Sequence, residues 1–130
     1  MASKKQTLPE KPSNVNVIGV MNLVSGAVNI LVGGGLTIGV VLGTFFVGII
    51  CLPITIAPVV LGIFEVLYGV KLMATPPQPV KPSKAIAIAQ ILSFVYLNVI
   101  SGVIGILSLT MYTDPEVDAY FKALNPDEAA

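Results

Sequence analysis

The chain has no histidine, no arginine and no tryptophan, and Cys51 is its one cysteine. Each gap closes off a kind of chemistry. Histidine-ligated haem, HExxH zinc sites, Ser-His-Asp triads and Cys-His pairs all need residues that are missing. An intrachain disulfide or a CxxC redox pair would need a second cysteine. Charge is scarce as well: Asp, Glu, Lys and Arg make up 11% of the chain, where a soluble domain carries about 25%. Seven lysines balance seven acids, so no basic footprint for a nucleic acid is present. The reading is of a non-enzymatic protein with no cofactor and no catalytic residues.

What remains is apolar. Hydrophobic residues are 55% of the 130, and a length of this order suits one domain. Apart from Glu65, the charged residues lie in three stretches, 1–12, 71–84 and 114–130. Between them run apolar blocks at 15–73 and 85–112, both longer than the ~20 residues a bilayer crossing needs. The sequence therefore predicts an all-α, integral membrane helical bundle. Lys4 and Lys5 are followed by mostly polar residues rather than by a signal-peptide core, so residues 1–14 read as a polar tail, with Pro9 and Pro12 resisting helix.

Gly33, Gly34 and Gly35 form a turn signal, and "CLPITIAP" sets Pro53 and Pro58 close together. These cues divide the first block into segments 15–33, 36–52 and 54–73. A proline-rich loop, "ATPPQPVKPSK" at 74–84, leads to the last segment, 85–112. That segment would be ~42 Å long as one helix, beyond the ~30 Å hydrocarbon thickness, so it requires a steep tilt or a break near Asn98. Four hydrophobic segments are expected, with three true crossings as the alternative. The lysines on both sides of the first block favour an even number of crossings between them. Two crossings would leave a re-entrant piece that protein must cover.

Small and polar residues recur at helical spacing. Gly19, Asn22, Gly26, Asn29 and Gly33 are separated by three, four, three and four residues, the seam of a left-handed helix pair. Gly62, Glu65 and Gly69 continue a stripe from Pro58, and Asn98, Ser101, Gly105 and Ser108 make a third that leads to Tyr112. Gly35, Gly39 and Gly43 give two overlapping GxxxG patterns. In lipid, helices associate through close contact and interhelical hydrogen bonds, each bond worth roughly 0.6–2 kcal/mol. These stripes are predicted to face other helices, either within the chain or in a homo-oligomer or larger complex.

Glu65 is the one ionisable carboxyl inside an apolar block. A carboxylate there costs at least ~2.5 kcal/mol, which makes it a candidate proton or ion site. The other readings are a protonated glue residue bonded to Asn22, Asn29 or Asn98, and an interfacial acid paired with Lys71. Glycine-rich helices with one central acid are similar to rotor-ring subunits of rotary ATPases, but the polar loop of those hairpins is missing. Cys51 reads as a small buried residue, with an interfacial palmitoylation site as the alternative. Tyr68, Tyr96 and Tyr112 are candidate interfacial anchors.

Residues 113–130 carry a short amphipathic helix. Thr113 or Asp114 can cap it, Pro115 suits the first turn, and Pro126 stops it. Val117, Tyr120, Phe121 and Leu124 share one face that either folds back on the bundle or docks a partner. Asp114, Glu116 and Asp118 converge poorly as metal ligands and read as solvated acids.

Two patterns, "GIFEVLYG" at 62–69 and "DPEVDAYF" at 114–121, carry a resemblance to small bacterial membrane proteins of unknown function. The resemblance covers most of residues 15–121. It implies a four-helix, multi-pass unit in the bacterial inner membrane, and it brings no assigned site residues.

Overall fold

The computed structural model describes residues 8–126. The expectations for residues 1–7, with Lys4 and Lys5, and for residues 127–130 lie outside the described residues. Helix α1 spans Ser13–Gly43, ~46 Å at helical rise. A tight reversal at Thr44, Phe45 and Phe46 leads through a 3-10 turn, Val47–Cys51, into the short α2, Leu52–Thr55, and then α3, Ala57–Met73. After the proline-rich loop come α4 (Lys84–Leu92), a 3-10 turn at Ser93–Tyr96, α5 (Val99–Met111) and α6 (Pro115–Leu124). No strand occurs among the described residues. Two runs there, Ser13–Gly43 and Val47–Met73, are long and apolar enough to cross a membrane.

Three expected boundaries are corrected. Gly33, Gly34 and Gly35 do not break the chain: no glycine among the described residues has a positive φ, and α1 continues through all three. Segment 36–52 is therefore not a separate helix; its first half completes α1. Pro53 and Pro58 do not break the next run either. Both fall in the first turn of their helix, where a missing N–H is harmless, and Ile56 N donates to Leu52 O while Val60 N donates to Ile56 O. The actual reversals occur at residues with no glycine cue. Phe45 (φ 49°), Phe46 (φ 69°) and Leu97 (φ 58°) adopt the left-handed region, at roughly 1–2 kcal/mol each. Leu97 supplies the break expected near Asn98 and folds 85–112 into an antiparallel hairpin, α4 against α5, rather than one steeply tilted helix.

α1 and α3 run antiparallel in close contact. Gly19 faces Gly69, Gly26 faces Gly62 and Gly33 faces Val59. A Cβ on Gly26 would lie 2.7 Å from Gly62 O, and one on Gly62 would lie 2.6 Å from Gly26 O, so these two backbones tolerate nothing larger than glycine. The hairpin packs alongside, and its own approach is equally tight: a Cβ on Gly105 would lie 2.5 Å from Ala87 O.

The start of α1, the end of α3, both roots of the hairpin and α6 meet at one end, together with Lys11, Lys71, Lys81, Lys84 and Lys122. At this charged end residues 9–12 lie against the bundle rather than apart from it: Lys11 Nζ donates to Leu72 O at 2.8 Å and to Ala74 O at 3.0 Å. α6 closes the end. Its Asp114 cap accepts from Glu116 N at 2.8 Å and from Asn14 Nδ2 at 3.0 Å. Val117, Tyr120, Phe121 and Leu124 join Val15, Ile18, Tyr68, Leu72 and Tyr112 in the core. Those four side chains are thus buried in the chain itself, which removes them as a partner-docking face. Among the described residues the opposite, apolar end carries no charged side chain, and it exposes Phe45, Phe46 and Ile50. Cys51, expected to be buried, is exposed there.

Candidate functional site

All twelve residues of the expected seams are buried: Gly19, Asn22, Gly26, Asn29 and Gly33 on α1, Gly62, Glu65 and Gly69 on α3, and Asn98, Ser101, Gly105 and Ser108 at α5. The 3.6-residue turn places the polar members of each stripe on one face, and the glycines draw those faces together. A buried polar seam results where α1, α3 and the hairpin meet.

Glu65 lies at its centre with 0% exposure. Of the three asparagines considered as alternative partners, Asn29 is the one that reaches it, donating through Nδ2 to Oε1 at 3.1 Å and Oε2 at 2.9 Å. Asn29 Nδ2 also reaches Ser101 Oγ at 2.9 Å, and Ser101 Oγ pairs with Ser25 Oγ at 2.8 Å. Asn98 donates to Asn29 Oδ1 at 2.7 Å while its own Oδ1 accepts from Ser101 N at 3.2 Å, capping α5. Asn22 lies nearer the charged end, where it donates to Ile18 O at 2.9 Å and accepts from Gln90 Nε2 at 3.3 Å. Asn29 therefore ties α1 to both α3 and α5, and Asn22 ties it to α4.

The partners of the Glu65 carboxyl are amides and hydroxyls; Ser25, Gln90 and Ser101 join Asn29 around it. Lys71, the cation considered for an interfacial pair, is exposed near the end of α3. In a low-dielectric interior an ionised carboxyl without a counter-charge is costly, so this arrangement suits a neutral acid that shares hydrogen bonds. Among the described residues no group of three His, Cys, Asp or Glu side chains is placed to hold a metal ion.

At the charged end a second polar cluster replaces the expected aromatic anchors. Tyr68 and Tyr112 are buried, and Tyr112 donates to Tyr68 Oη at 2.9 Å. Tyr68 in turn donates to Lys81 O at 2.9 Å and accepts from Ser83 N at 3.0 Å. Burial first, and then the adjoining Tyr68 phenol, push the Tyr112 hydroxyl well above the usual tyrosine range, so it stays neutral. Tyr96 is partly buried near the other end of the hairpin, donating to Ile54 O at 3.1 Å.

Ser25 and Gln90 belong to the seam without having been singled out in the sequence. Gln90 carried a readable signal, a lone amide inside "AIAIAQIL". Ser25 carried one too, since it lies three residues after Asn22 and four before Asn29 and so shares their helical face. Gln90 Oε1 and Ser108 Oγ are buried without a hydrogen-bond partner.

No protein-family model, curated protein or solved structure matches this chain.

Proposed function

We propose that this chain is a non-enzymatic, multi-pass protein of the bacterial inner membrane that works by packing against other membrane helices, as an accessory or scaffold subunit. The observation that carries the reading is a contrast between two sets of glycines. A Cβ on Gly19, Gly26, Gly33, Gly62, Gly69 or Gly105 would collide with a neighbouring helix, whereas nothing lies within 4 Å of one on Gly34, Gly35, Gly39 or Gly43. Four glycines in the exposed part of α1 lower helix propensity with no contact inside the chain to offset it; a second helix seated there would supply one. The likeness to small bacterial membrane proteins supports the location. The two long apolar helices support insertion, and lysines gathered at one end support a cytoplasmic charged end, with the short α4–α5 hairpin entering and leaving by the same face.

The test is assembly in mild detergent. Wild-type protein should migrate as an oligomer or with partner subunits, and Gly35→Leu/Gly39→Leu should release a monomer that keeps its helicity and is at least as stable as the wild-type monomer. A wild-type chain that is monodisperse, monomeric and without partners overturns the reading.

A second reading is favoured by one specific observation, the fully buried Glu65 whose bonding partners are all uncharged. Such a carboxyl can take up and release a proton or small cation as the chemistry of an ion-translocating subunit. Glu65→Gln keeps the shape and one accepting oxygen for Asn29 Nδ2 and removes the titration. If proteoliposomes containing the variant carry the same proton or sodium flux as wild type, translocation through Glu65 is eliminated.

A further inference from the structure

The polar seam holds the side-chain amides of Asn22, Asn29, Gln90 and Asn98, and the oxygens of the three asparagines each have a donor. Asn22 Oδ1 accepts from Gln90 Nε2 at 3.3 Å, Asn29 Oδ1 from Asn98 Nδ2 at 2.7 Å, and Asn98 Oδ1 from Ser101 N at 3.2 Å. The remaining amide oxygen, Gln90 Oε1, is buried without a donor. Gln90 is 0% exposed, and its side chain lies beside the equally buried Glu65 carboxyl. A buried acceptor left without a donor is costly and calls for a physical reason.

Glu65 can supply that donor. An ionised carboxyl only accepts, whereas a protonated one has an O–H to give and still accepts. Its accepting side is already served by Asn29 Nδ2, which spans both carboxyl oxygens at 3.1 and 2.9 Å. The surroundings suit a proton better than a metal cation. A hard cation gathers oxygen ligands, but here an N–H donor faces both carboxyl oxygens, and the asparagine oxygens are turned to other donors. A bound cation would also leave an ion pair in a low-dielectric interior, while a proton cancels the charge outright. The elements packed around Glu65 present Ser25 and Asn29 from α1, Gln90 from α4 and Ser101 from α5, all uncharged. The next turn of α3 carries Tyr68, a phenol bonded to Tyr112.

We propose that Glu65 and Gln90 form a proton-binding pair that excludes metal cations, with the carboxyl O–H donating to Gln90 Oε1. The bound proton joins α3 to α4. It also completes one directed run of hydrogen bonds, from Asn98 to Asn29, Glu65, Gln90, Asn22 and finally Ile18 O, in which each bond polarises the next. The proposal rests on the second reading above, in which Glu65 takes up an ion, and names that ion as the proton.

The test is infrared spectroscopy of the full chain in lipid vesicles at neutral pH, in ordinary and heavy water, with and without excess sodium chloride. Wild type should show a carboxylic C=O band that moves to lower frequency in heavy water and is lost in Glu65→Gln. Added sodium should leave its intensity unchanged. Gln90→Met, close in shape but without the amide, should shift the band to higher frequency, because the O–H has lost its acceptor. Circular dichroism checks that this variant keeps its helicity; if it fails to fold, the wild-type band and its response to sodium still decide. A wild-type spectrum without the band overturns the proposal. So does loss of the band on adding sodium, which marks a cation site, and so does a band left in place by a folded Gln90→Met. Flux separates the pair from the reading beneath it: where the band behaves as expected and Glu65→Gln still carries wild-type proton flux, translocation falls and the proton-binding pair stands.

Discussion

The charged-end half of the molecule and the apolar-end half are built from the same helices by opposite rules. In the charged-end half α1 packs against α3 and α5 while α3 also meets α4, α6 covers the end, and each amide of the seam has a partner on another element. Toward the apolar end the hairpin has already turned at Leu97, leaving α1 beside only the 47–56 run. There Leu42, Phe45, Val47 and Ile50 are each 60% exposed or more. Glycine content is similar in the two halves, yet it means different things. Gly26 exists so that one backbone can touch another; Gly39 touches nothing. A small residue thus marks a contact only where the fold supplies the other half of it.

That contrast can be broken, or sharpened, by substitution. The largest expected effect is Gly26→Val, which forces atoms into Gly62 O and the Val66 side chain. A loss of about 3 kcal/mol or more is expected, read as failure to refold in detergent by circular dichroism. If Gly26→Val folds normally, the close α1–α3 approach is wrong. Asn29→Ala comes next. It strips a donor from Glu65 and an acceptor from Asn98, and leaving such groups unpaired should cost about 2 kcal/mol, measured as a lowered midpoint in denaturant. The smallest effect belongs to Gly39→Ala. With open space around it, the added methyl should stabilise the isolated chain by up to about 1 kcal/mol through helix propensity. A clear destabilisation in the monomer would show that the apolar-end half is packed after all.

The seam was legible because its signal is periodic: residues three and four apart must share a helical face, and in an apolar block the polar ones must find each other. α6 was legible for a similar reason, since Asp114, Pro115 and the 117–120–121–124 face each point to the same helix, observed at Pro115–Leu124. The turns were legible only in part. Gly33, Gly34 and Gly35 look like a break and are helical, whereas Phe45 and Phe46 look like helix and reverse the chain; the turn at Leu97 lies beside the break expected near Asn98, which segment length alone had suggested. Glycine permits a turn without requiring one, and tertiary packing can hold an ordinary residue in the left-handed region when the elements on both sides are anchored. Which asparagine meets Glu65 was equally beyond the sequence, because it depends on the register of α1 against α3, with Gly26 opposite Gly62, and, for Asn98, on the depth at which the hairpin turns.

The lid formed by α6 has a bearing on synthesis. Val15 and Ile18, among the first apolar residues to be made, are sealed by Val117 and Phe121, about a hundred positions later. While the ribosome is still extending the chain, this cluster has no cover of its own, so the nascent bundle stays unfinished at its charged end until the last helix has emerged.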